Sequence, residues 1–403
     1  MNYNETLEYI HSLGNFSLPP TLDRIKAVLK IFRNPQNDFK AIHIAGTNGK
    51  GSVSAMLHSV FKEAGYKTGL FISPFIINFR ERIQICGEFI SEEDLCRLSQ
   101  KVIDTKVQLT EFEFITAVAF LYFSEQKCDI AIVETGLGGR LDATNSLTNV
   151  LANVITKIGL DHTAILGDTV ERIAYEKCGI IKDCPVITSF NQPKGALNVL
   201  REYKPIIPAK AALKILKSDV SGNEFIYKSE HFKTSLSGEY QIENALLVIE
   251  TALICKVDIK TIKKGLNNTF FPARLEVISA KPLVILDGAH NPDGAFVLAK
   301  AMERYNGKIT AIIGMCKDKE CDTVLKQTLP YCKRAIAVGI KDFARSLSAD
   351  ELKVLAQKYC PTKIAATYDE AIQKVAEDEV IFVFGSLYLA SAIRPELKNF
   401  FKT

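Results

Sequence analysis

Long apolar runs are missing from this 403-residue chain: none approaches the ~20 residues needed to span a bilayer. The opening residues, Met1-Asn2-Tyr3-Asn4-Glu5, lack the basic and apolar regions of a secretory leader, so a cytoplasmic location is expected. Ten cysteines are scattered from Cys86 to Cys360 without a C-x-x-C pair, which argues against a structural zinc or a redox dithiol. They read instead as small hydrophobes in a reducing compartment. A formal charge of only +4 gives no basic field for nucleic acid and no membrane-surface patch. Internal repeats and low-complexity stretches are also absent. The length, too great for one ordinary core, points to two or three domains.

Apolar runs alternate with helical patterns from residue 40 to about 190. Strands are expected at Ala41–Ala45, Thr68–Ile72, Ile130–Glu134, Ala152–Thr156 and Val186–Thr188, with helices at Val53–Ala64, Glu92–Ile103, Phe112–Ser124 and Val170–Ile180. That alternation predicts a parallel sheet covered on both faces. Short β-like pieces at Leu213–Lys217, Glu224–Lys228 and Phe232–Leu236 suggest an antiparallel meander, followed by an amphipathic helix at Ile242–Ile254. A second α/β series follows Pro272. Its strands are Leu283–Asp287, Ile309–Gly314, Ala335–Val338 and Val380–Phe384; its helices are Gly294–Tyr305, Cys321–Leu329, Ala349–Lys358 and Asp369–Ala376. The fold class is therefore α/β, with domains at 1–272 and 273–403.

The most informative segment is His43–Val53, where an apolar strand runs into Gly46, Gly49, Lys50, Gly51 and Ser52. Glycines let backbone N–H groups crowd round an anion, and the helix that follows adds the positive end of its dipole. Lys50 would reach the β/γ-phosphates and Ser52 would hold Mg²⁺, although Gly51 separates them, unlike the common G-x-x-x-x-G-K-[ST] spacing. Glu134 ends the strand Ile130–Glu134, a place where ligands collect in open parallel sheets; it reads as a Mg²⁺ ligand or as a solvated strand end. His162 also lies just past a strand. Lys177 sits in a last helical turn, where a lysine ordinarily only complements the dipole. Asp287 and His290 close another strand and suit ribose and phosphate, or equally an Asx turn ahead of a helix at Pro292 or Asp293.

Together these segments resemble the folylpolyglutamate synthase/dihydrofolate synthase family within the Mur ligase superfamily. The likeness runs through His43–Ser54, Ser73-Pro74, Glu81-Arg82-Ile83, Glu134–Asn145, Ile158–Gly167, Glu176–Lys182, Gly238–Asn244, Pro272–Glu276, Asp287–Pro292 and Phe384–Leu389. It implies a P-loop-like parallel-sheet domain, with the meander, followed by a smaller Rossmann-like glutamate ligase domain. It further implies an ATP-dependent acid–amino-acid ligase of folate biosynthesis. Such an enzyme adds L-glutamate to dihydropteroate, to the γ-carboxyl of reduced folates, or to both, through an acyl phosphate. By the same resemblance, Thr47, Asn48, Gly49, Lys50, Gly51 and Ser52 hold the ATP phosphates. Asn244, Arg274, Asp287 and His290 also contact ATP, while Ser52, Ser73, Glu134 and His162 bind Mg²⁺, two ions in all. Lys177 is carbamylated, and the pterin lies against Leu22, Thr110, Phe112, Glu113, Leu141, Asp142 and Ala143. The chain departs from the family pattern at Phe75, Thr135 (a usual valine), Glu239-Tyr240-Gln241 and Ala273 (a usual glycine), and Pro19-Pro20-Thr21-Leu22 stands where Gly-Leu is frequent. A monomer is implied, with no nucleic-acid or membrane partner. A cell-wall Mur ligase using a UDP-sugar peptide and a nucleotide-binding regulator without turnover are the competing readings.

Overall fold

The computed structural model describes residues 1–14, 18–76, 78–341 and 343–401. They divide into two compact units, 1–214 with 226–233 and 242–269, and 215–225 with 234–241 and 270–403.

The first unit is built on a seven-stranded sheet. Its strands are β1 (Lys40–Ala45), β2 (Thr68–Phe71), β3 (Ile83–Ile85), β4 (Glu88–Phe89), β5 (Ile130–Glu134), β6 (Val150–Ile155) and β7 (Val186–Thr188), in the order β4-β3-β2-β5-β1-β6-β7. The five strands from β2 to β7 across the sheet are parallel, and β3 and β4 add an antiparallel edge. Every residue of β5 is buried, which is why a parallel strand covered on both faces reads as a continuous apolar run. The helices are α1 (Tyr3–Ser12), α2 (Asp23–Ile31), α3 (Lys50–Glu63), α4 (Glu92–Asp104), α5 (Glu111–Glu125), α6 (Thr163–Leu166), α7 (Val170–Cys178), α8 (Lys194–Leu200), α9 (Tyr240–Ile254) and α10 (Ile259–Asn267).

Two differences from the sequence expectation matter for function. Helix α3 begins at Lys50 rather than Val53, because Gly49 takes a left-handed conformation (φ 93°) as its N-cap. Helix α9 is buried nearly all round, Gln241, Asn244, Glu250 and Thr251 included, where the sequence predicts an amphipathic helix.

A three-stranded sheet of β8 (Leu213–Asp219), β9 (Gly222–Tyr227) and β10 (Glu230–Thr234) forms the expected meander, in the order β10-β9-β8. The second unit contains a six-stranded sheet of β11 (Glu276–Ala280), β12 (Leu283–Leu286), β13 (Ile309–Ile313), β14 (Cys332–Val338), β15 (Thr362–Ala365) and β16 (Val380–Phe384), ordered β11-β12-β16-β13-β14-β15. Only the β11–β12 pairing is antiparallel. Its α-helices are α11 (Pro292–Met302), α12 (Cys321–Thr328), α13 (Ala349–Ala356), α14 (Tyr368–Gln373) and α15 (Leu387–Phe400). No helix among the described residues is long and apolar enough to cross a membrane.

Candidate active site

Strands β5, β1 and β6 are neighbours, so the segments leaving their carboxyl ends converge: Glu134, the glycine turn, and the stretch leading to His162. Two glycines are required by contact. A Cβ on Gly46 (φ 150°) would lie 1.8 Å from Thr156 Oγ1, and one on Gly49 would lie 2.5 Å from Asn244 Oδ1. Asn244 is thereby placed against the turn. Lys50, Gly51 and Ser52 form the first turn of α3, whose N–H groups have no acceptor within the helix, the arrangement that suits an anion. Thr47 and Asn48, expected at the phosphates, also tie the turn to the segment after β6. Both backbone N–H groups donate to Lys157 O, at 3.0 and 3.2 Å, and the Thr47 hydroxyl pairs with Gly159 N and O. These bonds brace the turn against the segment after β6.

Glu134 is 4 % exposed and faces two donors. Its Oε1 lies 3.8 Å from Lys50 Nζ, and its Oε2 accepts the Ser73 N–H at 3.4 Å. Lys177 does not sit on the dipole at the end of α7. Its side chain is buried, and Nζ donates to Gly46 O at 2.7 Å. Burial, and then the nearby charge of Lys50, lower its pKa from the ordinary 10.5 to about 7, with Asp161 and Asp142 pulling the other way. His162 (φ 50°) is the N-cap of the short α6; its side chain is 44 % exposed, with Nε2 3.8 Å from Asp161 Oδ2. Lys50, Ser73, Glu134 and Lys177 thus gather round the neighbouring ends of β1 and β5, with His162 on the loop after β6.

Oxygen dominates the proposed metal set: the Ser52 and Ser73 hydroxyls and the buried Glu134 carboxylate. Among the described residues no group of three or more His, Cys, Asp or Glu side chains is placed to hold a metal. That composition fits Mg²⁺, a hard ion that keeps several of its waters.

The segments assigned to the pterin also assemble. Leu22 caps α2, Thr110 caps α5, and Asp142 caps the single 3-10 turn Ala143–Ser146. These three elements pack on one another. Thr110 and Glu113 form a capping box, and Glu113 also takes a two-pronged contact from Arg24 at 2.9 and 3.1 Å. Arg24 carries no signal in the sequence, because nothing local distinguishes it from any other surface arginine. Phe112 packs on Phe71, centroids 5.7 Å apart, and its ring fills the space a side chain at Gly136 would need. Asp142 accepts from Leu137 N at 2.8 Å, Thr144 N at 3.0 Å and Thr144 Oγ1 at 2.5 Å, while burial raises its carboxyl. Leu141 and Ala143 flank it.

In the second unit Asp287 accepts from Leu275 N and Ala289 N, both at 2.8 Å, and so makes the Asx turn. Asn291 then caps α11, which starts at Pro292. Burial raises the Asp287 carboxyl, opposed by the Arg274 charge. His290 keeps Nδ1 on Gly288 O at 2.9 Å, which leaves Nε2 as its other polar atom. Ser386 of the Gly-Ser turn caps α15.

Residues 44–252 match the Mur ligase middle domain, and residues 273–387 match the Mur ligase glutamate ligase domain. The chain is 37 % identical to the dihydrofolate synthase/folylpolyglutamate synthase of Bacillus subtilis (strain 168), over 98 % of this chain and 99 % of that one. This chain belongs to the folylpolyglutamate synthase/dihydrofolate synthase family. Among solved members of that family, E. coli FolC in complex with DHPP and ADP superposes with a TM-score of 0.87 at 25 % identity, covering 99 % of this chain and 98 % of that one. The bifunctional Yersinia pestis enzyme complexed with AMPPNP and Mn ion gives 0.86 at 27 % identity, with 98 % of both chains covered.

Two departures from the synthase pattern have visible physical consequences. Thr135 follows Glu134 in the strand-end turn, is 1 % exposed, and leaves its hydroxyl without a hydrogen-bond partner. Ala273 holds a left-handed backbone (φ 52°), a conformation that glycine adopts without cost. A third departure, Phe75, packs edge-on against Phe79 at 5.7 Å and beneath the Arg82 guanidinium.

Proposed function

We propose that this synthase uses ATP to activate the carboxylate of a pteroyl substrate and couples it to L-glutamate, acting on dihydropteroate and extending reduced folates. The observation that carries the reading is the gathering of Lys50, Glu134 and Lys177 round the Gly46–Ser52 turn. Two anions must meet for a carboxylate to attack a γ-phosphate. Lys50 and the α3 terminus neutralise the charge that develops on the transferred phosphoryl group. Attack displaces ADP and leaves an acyl phosphate; the glutamate amine then takes the carbonyl carbon and phosphate departs.

Ser52, Ser73, Glu134 and His162 would hold Mg²⁺, two ions in the reading we favour, and the metal would supply further charge neutralisation at the phosphates. At a pKa of about 7, Lys177 presents a substantial neutral fraction, the form of an amine that adds CO₂. Addition of CO₂ to the neutral amine forms the N–C bond and releases one proton, two when counted from the ammonium, so that an anion replaces a cation and one N–H remains for Gly46 O. Thr110, Phe112, Glu113, Leu22, Leu141, Asp142 and Ala143 form the pteroyl surface, and Asn244, Arg274, Asp287 and His290 serve the nucleotide. We retain 1–272 and 273–403 as the domain limits, a monomer as the working form, and the cytoplasm as the compartment.

ADP release, measured with dihydropteroate or tetrahydrofolate and with or without glutamate, tests the assignment. Glutamate-dependent release with both acceptors is expected. Release with one acceptor alone removes the second activity, and release with neither refutes the proposal.

A further inference from the structure

Behind the pteroyl surface lies a buried polar chain that runs back to the strand carrying the ATP cradle. His43 sits in the middle of β1, paired with Val133 of β5 and Asn153 of β6, and is fully buried. Its Nε2 lies 2.8 Å from Thr144 Oγ1, itself fully buried, and Thr144 Oγ1 lies 2.5 Å from Asp142 Oδ1.

Proton counting fixes the directions. Asp142 accepts from the Leu137 N–H at Oδ2 and from both the Thr144 N–H and the Thr144 hydroxyl at Oδ1. The Thr144 hydroxyl has one proton and gives it to Asp142, so its lone pair must accept from His43. His43 is therefore the Nε2–H tautomer, and its Nδ1 is a bare lone pair, buried with no partner. Burial, with Lys182 nearby, lowers its pKa to about 3, in keeping with a neutral ring. An imidazole with one orphaned nitrogen is a costly occupant for a central strand that any β-branched residue would fill. What the imidazole supplies in return is one directed donor.

We propose that His43 and Thr144 are positioning residues for the pteroyl substrate, locking the Asp142 carboxylate in place and tying the loop that carries it to β1. The proposal rests on the reading of Leu141–Ala143 as part of the pteroyl site. Three residues after His43 the chain enters the phosphate turn at Gly46. One hydrogen-bonded chain thus sets the acceptor-binding loop in register with the strand that presents ATP.

The test pairs isosteric losses with conservative rescues: Thr144→Val against Thr144→Ser, and His43→Leu against His43→Gln, whose amide reaches the Nε2 position. Asp142→Asn serves as the reference, and the KM values for dihydropteroate, ATP and glutamate are measured on each. Loss of the buried bond to the Asp142 carboxylate in Thr144→Val should raise the dihydropteroate KM about tenfold, and loss of the neutral bond that orients Thr144 in His43→Leu should raise it about fivefold. The ATP and glutamate KM values should stay within about twofold, and Ser and Gln should restore the dihydropteroate KM. The inference is overturned if Asp142→Asn raises the dihydropteroate KM while Val and Leu do not. It is overturned equally if Ser and Gln behave like Val and Leu, or if all three KM values rise together. If Asp142→Asn leaves the dihydropteroate KM unchanged, Asp142 is not a substrate contact, and the underlying reading fails first. Should one loss variant not fold, the other pair decides between these outcomes.

Discussion

Lys177 offers a quantitative test, because burying an ammonium has a pH signature that no other role for the residue produces. In the metal-free, CO₂-free protein its pKa falls from 10.5 to about 7 on folding, through burial first and Lys50 second. The unfolded chain therefore binds more protons than the native one between those values, and stability rises with pH across that window. Below about pH 7 the lysine is protonated in both states, and the native fold carries the whole desolvation cost, on the order of 5 kcal/mol at ~1.36 kcal/mol per decade. Raising the pH from about 6 to 9 should return ~3 kcal/mol of it to the wild type. Lys177→Met removes the charge and keeps most of the side-chain volume, at a cost of about 1 kcal/mol for the hydrogen bond to Gly46 O. Urea unfolding of both proteins at several pH values is the assay. The variant should be the more stable at pH 6, with its advantage shrinking by roughly 3 kcal/mol at pH 9. A stability difference that does not change with pH would mean that the ammonium is not desolvated, and the argument for a readily carbamylated amine would fall with it.

Lys50→Ala should abolish glutamate-dependent ADP release while leaving the melting temperature within a few degrees; ligation at the wild-type rate would refute the role given to the phosphate turn. Thr135→Val deletes a buried hydroxyl that has no partner, and should stabilise the protein by about 1 kcal/mol in urea unfolding; a loss of stability would show that the hydroxyl is in use. Ala273→Gly relieves a left-handed backbone and should add about 0.5–1 kcal/mol after the entropy of glycine is counted, with a lower melting temperature as the contrary result.

Much of the first sheet is legible in the sequence because fully buried parallel strands such as Ile130–Glu134 are written as unbroken apolar runs. The phosphate turn is legible for a related reason: glycines at Gly46 and Gly49 answer to contacts that admit no side chain. Other elements leave no such trace. The hairpin of β3 and β4 is very short and turns through Cys86 and Gly87, both at positive φ. Helix α15 carries Pro395 in its interior, where the residue ordinarily reads as a stop. The start of α3 reads three residues late because Gly-Lys-Gly carries no apolar period, although the left-handed Gly49 begins the helix there.

Site chemistry divides along the same line. Lys50 and Glu134 announce themselves by spacing and by strand ends. Lys177, Arg24 and His43 do not, since an ordinary lysine, arginine and histidine acquire their roles only from what tertiary packing turns them toward: Gly46 O, Glu113 and Thr144.

The central claim is that ATP activates the pteroyl carboxylate as an acyl phosphate, which the glutamate amine then attacks, and oxygen isotopes test it most directly. Dihydropteroate carrying oxygen-18 in its carboxylate is turned over with ATP, Mg²⁺ and glutamate, and the released phosphate is analysed by mass spectrometry. An acyl phosphate requires one labelled oxygen to pass from the carboxylate to phosphate for each amide formed. Amide product accompanied by unlabelled phosphate would contradict it.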